Sequence, residues 1–339
     1  ALANGLDLSG DGAGGVGALT GTGTAAYTGD VALIADARVG TATTGDQLSL
    51  SGAIAGAHRL EKSGVGTVIL DNANNDYSGG TTISAGTLQT NVASALPDDR
   101  AVRVGTSGTL DLLSHDQSIG TLTGDGSVTL GSATLTVRDG DFAGHIGGGT
   151  GRLSKTSSGT LILSNSNTYT GGTTIQDGTL TARHAQALDQ GKVTVANGAT
   201  LNIDGVTLAL ANGLDLSGDG AGGVGALTGT GTAAYTGGVT LIADARVGTA
   251  TANDQLSLSG AITGAHRLEK SGDGTVILDN ANNDYSGGTT ISAGTLRTKL
   301  ASALPDDQAV SVGTSGTLDL LGHDCLLYTS DAADEEDSV

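Results

Sequence analysis

The sequence predicts an all-β chain wound into a right-handed parallel β-helix (a β-solenoid), and three observations support this. Residues 1–116 recur at 209–324 without a gap, and 104 of the 116 aligned positions are identical. Short runs of Val, Ile, Leu and Thr alternate with turn residues, and aromatic residues are only 2% of the chain. Repeats of this kind stack into solenoids, and parallel crossover connections are right-handed.

One phrase recurs inside this pattern and marks the strands. Its three copies begin at Leu60, Leu153 and Leu268. Each copy contains a short aliphatic run and ends on Gly-Thr-Leu. Because side chains alternate along a strand, we expect Val68 and Leu70 to point one way and Thr67 and Ile69 the other.

A second run follows each phrase and alternates in the same way. It predicts that Leu110 and Leu112 point inward while Thr109 and Asp111 point outward. A turn of roughly twenty residues divides residues 1–324 into about 16 turns. With neighbouring strands about 4.8 Å apart, the rod would be on the order of 75–80 Å long.

Glycine and proline predict where the chain turns. Paired glycines follow the Tyr-containing segments at 79–80, 171–172 and 287–288, and glycine adopts a positive φ without steric cost. The best helix candidate is the segment around Ala93–Leu96, which Pro97 interrupts. Its short length and the proline predict a loop or a single turn.

The second copy reads LSKTSSGTLILSNSNTYTGGTTIQDGTL from Leu153. It closely resembles the passenger-associated strand repeat of bacterial autotransporters, and the resemblance covers nearly all of residues 1–324. The lysines and tyrosines that match are Lys62, Lys155, Lys270, Tyr77, Tyr169 and Tyr285. Ser157 and Ser158 depart from the pattern where a glycine is expected, and Asp76 or Asp284 precedes the tyrosine where Thr is usual.

The resemblance implies a surface location and further parts of the protein. It implies a β-helix passenger that is exported through the inner membrane and displayed on, or released from, a Gram-negative cell. A C-terminal β-barrel is expected in the full-length protein, since such a barrel normally carries the passenger across the outer membrane. Ala1 aligns with Ala209, which lies within a phrase, so we expect the natural protein to extend upstream.

Net charge argues against two classes of partner. The chain carries a formal charge of −20, and an acidic surface repels nucleic acid and anionic lipid headgroups. No apolar run approaches 18 residues, so no helix is expected to cross a bilayer. We therefore predict no nucleic-acid partner and no direct membrane insertion by this chain.

Residues 325–339 break the repeat. The first copy continues QSIGTLTGDGSVTL after Asp116, whereas CLLYTSDAADEEDSV follows Asp324. The stretch Cys325–Glu335 resembles the translation of a transposon-end sequencing adapter, and we interpret it as read-through from a DNA library. The alternative is a genuine acidic, disordered C-terminus. On the first interpretation the chain has no native cysteine, and its stability must come from stacking.

No residue is predicted to be catalytic, to bind a cofactor or to hold a metal. A Gly-x-Gly-x-x-Gly pattern occurs at Gly12, Gly14 and Gly17, and again at Gly220, Gly222 and Gly225. A dinucleotide site needs a helix after the glycines, and none is indicated, so we interpret both as glycine-rich turns. The histidines that recur in both copies, His58 with His266 and His115 with His323, are interpreted as loop or surface positions.

Two further sets of side chains leave alternatives open. Asp71 and Asp76 flank Asn-Ala-Asn-Asn, as Asp279 and Asp284 do in the second copy, and could offer oxygens to calcium. The favoured interpretation is a turn capped by Asx hydrogen bonds, with Asn72, Asn74 and Asn75 stacked in a ladder. The repeated tyrosines could form a sugar- or protein-binding stripe. The favoured interpretation packs each ring against the neighbouring turn and leaves its hydroxyl in water.

Three functions fit these predictions. The leading hypothesis is adhesion to host or neighbouring-cell surface molecules, or self-association, through many weak contacts along a polar face. The alternatives are an inert stalk and the non-catalytic part of an enzyme passenger whose active domain lies upstream. Open ends of a stack expose strand edges, so we also expect the expressed chain to associate, which light scattering would detect.

Overall fold

The computed structural model describes residues 4–188 and 191–322, so the predicted tail at 325–339 lies outside the described residues. The described part is all-β, with 31 strands. The first sixteen are β1 (Leu6–Gly10), β2 (Leu19–Gly21), β3 (Thr24–Tyr27), β4 (Val31–Thr41), β5 (Gln47–Leu50), β6 (Ile54–Ala55), β7 (Leu60–Ser63), β8 (Thr67–Leu70), β9 (Thr81–Thr90), β10 (Val102–Asp111), β11 (Gln117–Gly124), β12 (Ser127–Thr129), β13 (Thr134–Phe142), β14 (His145–Gly147), β15 (Arg152–Lys155) and β16 (Thr160–Leu163).

The second half continues the same pattern. Its strands are β17 (Thr173–Ile175), β18 (Gly178–Ala182), β19 (Val193–Val195), β20 (Ala199–Asp204), β21 (Thr207–Leu208), β22 (Leu214–Gly218), β23 (Leu227–Thr230), β24 (Thr232–Tyr235), β25 (Val239–Thr249), β26 (Gln255–Leu258), β27 (Ile262–Thr263), β28 (Leu268–Ser271), β29 (Thr275–Leu278), β30 (Thr289–Thr298) and β31 (Val310–Asp319). Two short 3-10 segments, Ala13–Gly15 and Ala221–Gly223, are the helical elements of the described chain, and no helix in it could span a membrane.

The strands stack as a parallel β-solenoid of about 15 turns, which confirms the predicted fold class. Successive turns bring partners together after as few as 18 residues, at Leu122 and Gly140, or as many as 27, at Thr207 and Ala234. The expected turn of roughly twenty residues lies within this range. Right-handed winding stays a prediction from the crossover rule.

The strands of the first copy fall into three stacks. Stack A contains β1, the start of β4, and β6. Stack B contains the end of β4, then β7, then the first halves of β9 and β10. Stack C contains β3, β5, β8 and the second halves of β9 and β10.

The interior is a continuous column of small aliphatic side chains. Val68 and Leu70 are 0% exposed while Thr67 and Ile69 are half-buried, which confirms the alternation predicted for this strand. Leu110 and Leu112 are likewise buried, with Thr109 and Asp111 on the outside. Each short strand buries too little surface alone, so stacking on its neighbours provides the core.

The predicted turns are present, with one refinement. Of each glycine pair, the second takes a left-handed conformation, and these residues are Gly80 (φ 79°), Gly172 (φ 97°) and Gly288 (φ 78°). The first of the pair has no positive φ and is needed for close packing, since a Cβ on Gly79 would lie 2.2 Å from the carbonyl carbon of His58. The segment around Pro97 forms turns and no helix, as predicted.

The 208-residue duplication corresponds to ten whole turns. Stack B can be followed from β7 through β9, β10, β11, β13, β16, β18, β20, β23 and β25 to β28. β28 is the duplicate of β7, so the two copies present the same stacks on the same sides. The repeat from Leu153 differs, because β16, the counterpart of β8, lies in stack B. The strands of that repeat therefore lie one stack away from their counterparts in the other two repeats.

Candidate interaction surface

The lysine of each repeat is buried in a cup of main-chain carbonyl groups. Lys62 is 0% exposed, and its Nζ donates to the carbonyl oxygens of Ser63 (2.9 Å), Gly64 (2.8 Å) and Ala85 (2.9 Å). The first two acceptors belong to its own turn and the third to the next, so the ammonium group clamps two turns together. Burial lowers the pKa of Lys62 to about 8.

The same cup occurs in the other two repeats. Lys155 donates to Thr156, Ser157 and Asp177, and Lys270 donates to Ser271, Gly272 and Ala293, at 2.6–3.0 Å. Sequence reasoning matched these lysines to the family motif but assigned them no role. The available signal was their alternation, since Leu60 and Lys62 lie on the same, inward side of β7.

A glycine closes each cup. Gly86, in the Gly-Thr-Leu segment, has φ 66°, and a Cβ there would lie 2.7 Å from the Nζ of Lys62. Gly178 and Gly294 have the same conformation in the other repeats. In the second repeat Ser157 replaces a glycine and takes φ 71°, which costs a non-glycine residue about 1 kcal/mol. Its carbonyl still accepts from Lys155.

The repeated tyrosines do not form a surface stripe, and the prediction that their hydroxyls stay in water is wrong. Tyr77 is 0% exposed, and its hydroxyl lies 2.7 Å from the Oγ1 of Thr81. Tyr169 and Tyr285 are buried in the same way. The threonine four residues later supplies a buried hydrogen-bond partner, so the hydroxyl does not need water. Burial raises the pKa of the Tyr77 hydroxyl.

The asparagines before the tyrosines connect consecutive turns. Asn75 accepts from the amide of Ile54 (2.8 Å) and donates to the carbonyl oxygens of Asn72 (2.9 Å) and Ala95 (2.8 Å). Asn72 accepts from the amide of Asn74 at 2.8 Å, which confirms the predicted Asx turn. The predicted ladder of asparagines is not formed at Asn75. Its side chain instead bridges main chains, because the acceptor in the next turn is the carbonyl oxygen of Ala95 and not another asparagine.

The other candidate positions lie apart from one another. No group of three or more His, Cys, Asp or Glu among the described residues is arranged so that it could hold a metal ion. Asp71 accepts from Asn91 at 3.0 Å, and His58 lies 3.9 Å from the Oδ1 of Asp36. The first glycine-rich segment forms the 3-10 turn Ala13–Gly15 and leads into β2 without a helix. The absence of catalytic, cofactor and metal residues stays a prediction.

Outward side chains of stack B pair with one another. Arg38 lies 3.1 Å from Glu61, which also accepts from the hydroxyl of Ser84 at 2.6 Å. Arg59 lies 3.4 Å from Asp36. The second copy repeats these contacts at Arg246, Glu269, Ser292, Arg267 and Asp244. Charges on this side are thus largely matched within the protein.

Stack C presents a different surface, which we call the hydroxyl face. It is one outward row, formed by Thr24, Gln47, Thr67, Thr87 and Thr109, with the duplicate row Thr232, Gln255, Thr275, Thr295 and Thr317. All are exposed or half-buried, and none is charged. Within the described ranges their side chains make no hydrogen bond, so each offers a donor and an acceptor to solvent.

Comparison with known proteins agrees with this architecture. The model of the passenger-associated-transport-repeat family matches residues 60–90, 153–182 and 268–297, which are the three lysine cups and their tyrosine segments. The chain is 34% identical over 280 residues to the adhesin BmaC autotransporter of Brucella suis. It is 29% identical over 300 residues to the uncharacterized lipoprotein YdeK of Escherichia coli. The comparison with solved structures gives no match.

These relatives are much longer than the matched region. The alignment with the adhesin covers 78% of this chain and 8% of the adhesin, and that with the lipoprotein covers 81% and 22%. The shared region thus consists of the solenoid turns described above. The chain belongs among the autotransporter passengers that carry passenger-associated-transport repeats, with a surface-exposed or extracellular location in Gram-negative bacteria.

Proposed function

We propose that this solenoid mediates adhesion, to host or neighbouring-cell surfaces or between copies of itself, by many weak contacts along its outer face. The observation that carries the proposal is the hydroxyl face, whose hydrogen-bonding groups recur turn after turn and have no partner among the described residues. Weak contacts combine into high avidity when identical sites repeat on one rigid body. Similarity to a protein named as an adhesin supports the same role.

The test is attachment of cells that display the protein. Deletion of residues 4–322 is expected to abolish attachment to epithelial monolayers and settling of the cells as aggregates. Surface display of the remaining protein is checked with an antibody against a flanking tag. Unchanged attachment and aggregation after the deletion would refute an adhesive role.

A stalk is the second candidate, and the ten-turn duplication favours it. Deletion of residues 93–300 removes 208 residues and joins equivalent positions, so the remaining turns keep their stacking. An adhesive solenoid would then lose part of its avidity. A stalk would retain full activity of whatever it carries and change only its reach, which a spacer series on the opposing surface measures.

A further inference from the structure

The two copies of the hydroxyl face lie on the same side of the rod. Because the duplication spans ten whole turns, β8 and β29 occupy the same stack, and so do the second halves of β9 and β30. Ten turns at strand spacing place equivalent residues about 48 Å apart along the axis. Within each copy, the rows from Thr24 to Thr109 and from Thr232 to Thr317 cross five turns, or roughly 19 Å.

Charge limits what this face can hold. The chain carries −20, which repels anionic partners and other copies of itself at long range. The hydroxyl face itself holds no charged side chain. In the neighbouring outward row of stack C, Asp111 accepts from Gln89 at 3.1 Å and Asp319 from Arg297 at 2.8 Å, so these carboxylates are already paired. Arg38, Glu61 and their neighbours on stack B bind one another, whereas the side chains of the hydroxyl face make no hydrogen bond in the described chain. A neutral ligand rich in hydroxyl groups matches this chemistry.

Resting on the adhesive role proposed above, we propose that the hydroxyl face binds a neutral polysaccharide chain, which spans both copies of the face. A linear polymer with hydroxyl groups along its length can hydrogen-bond to Thr67, Thr87 and Thr109 and, about 48 Å further on, to their duplicates. Occupying both copies at once raises the affinity for a polymer far above that for a short oligosaccharide.

The repeat from Leu153 supplies a matched control. Thr160 and Thr179 hold the motif positions of Thr67 and Thr87, but they belong to stack B and point to a different side of the rod. The test variant carries Thr67→Val, Thr87→Val, Thr275→Val and Thr295→Val, and the control carries Thr160→Val and Thr179→Val. Valine keeps the branched Cβ and replaces the hydroxyl with a methyl group, so strand structure is retained.

Binding of the 339-residue chain is measured on immobilised glucan, mannan and galactan, with heparin as the anionic polymer. We expect retention on at least one neutral polymer and stronger binding to it than to its trisaccharide. The four-site variant should bind at least about tenfold more weakly, through lost avidity, and the control within about twofold of the unchanged chain. If the four-site variant fails to fold by circular dichroism, Gln47→Ala with Gln255→Ala tests the same face.

Several results would overturn the proposal. Equal binding by the four-site variant would exclude this face, and no retention on any neutral polymer would exclude the ligand class. If cells still adhere in the second case, the adhesive role stands and the polysaccharide assignment falls. Loss of self-aggregation by the four-site variant without polysaccharide binding would identify a second copy of the chain as the occupant.

Discussion

The two copies of the 208-residue unit differ at twelve positions, and none of these is buried in the first copy. Nine are exposed and three are half-buried, at Ala55, Gln89 and Val92. Every lysine cup, buried tyrosine and interior leucine of the first copy recurs unchanged in the second. Interior packing therefore restricts this sequence, while the outer surface tolerates change between otherwise identical folds.

At two contacts between turns, a neutral amide that bonds to a carboxylate in the first copy corresponds to a cation in the second, so that the contact becomes an ion pair. Gln89 donates to Asp111 at 3.1 Å, whereas its counterpart Arg297 donates to Asp319 at 2.8 Å. Asn91 bonds to Asp71 at 3.0 Å, and its counterpart Lys299 bonds to Asp279 at 2.6 Å. The geometry of each bridge is kept while its charge changes, so the surface can be retuned without altering the turns beneath.

The largest effect is expected from removing a buried ammonium group. Lys62→Met leaves three buried carbonyl groups without a donor and should lower the free energy of unfolding by about 3 kcal/mol. The loss should be concentrated in neighbouring turns, since solenoid stability is nearly a sum over adjacent repeats. Hydrogen exchange of the amides in β7 and β9 measures this directly. Met at the exposed Lys299 is the control, and an equal loss there would contradict the difference between interior and surface.

A pH titration probes the same three cups. Burial lowers the pKa of Lys62, Lys155 and Lys270 to about 8, from an ordinary 10.5. Between these values the unfolded chain binds more protons than the folded one, so the free energy of unfolding should rise with pH. Burial also raises the pKa of Tyr285 to about 12, so stability should fall again above about pH 10.

Denaturant midpoints from pH 7 to 11 give that profile. Replacing all three lysines by Met should remove the rise between pH 8 and 10 and leave the fall at higher pH. A midpoint that decreases steadily from pH 8 in the unchanged chain would contradict the lowered lysine pKa values.

The buried tyrosine bond is expected to have a smaller effect. Tyr77→Phe leaves the hydroxyl of Thr81, 3% exposed, without its partner and should cost about 1–2 kcal/mol. The double variant Tyr77→Phe with Thr81→Val removes both polar groups and should recover most of that stability. Thermal melts of the two variants decide the point, and equal losses would mean that the tyrosine acts through packing alone.

Sequence reasoning reached the strands because their periodicity is local. The alternation of residues 67–70 predicts that Val68 and Leu70 share one side of their strand. The proline at position 97 predicts a loop there. The burial of the Tyr77 hydroxyl was not predicted, because its hydrogen-bond partner Thr81 is buried only once the turns are stacked. The displacement of the repeat at Leu153 by one stack could not be predicted from the sequence either. It depends on the summed lengths of all intervening turns, which range from 18 residues upward, and no local pattern encodes that sum.

The smallest effect is expected where the two copies differ. Arg297→Gln with Lys299→Asn gives the second copy the first copy's bridges and should change the free energy of unfolding by less than about 1 kcal/mol, since exposed ion pairs contribute little. The difference should shrink further in about 1 M salt, where the screening length is about 3 Å. Denaturant unfolding at low and high salt measures both quantities. A loss comparable with that of Lys62→Met would show that these surface bridges hold the turns together. The fact that both copies have the same buried residues would then not be enough to explain why they fold alike.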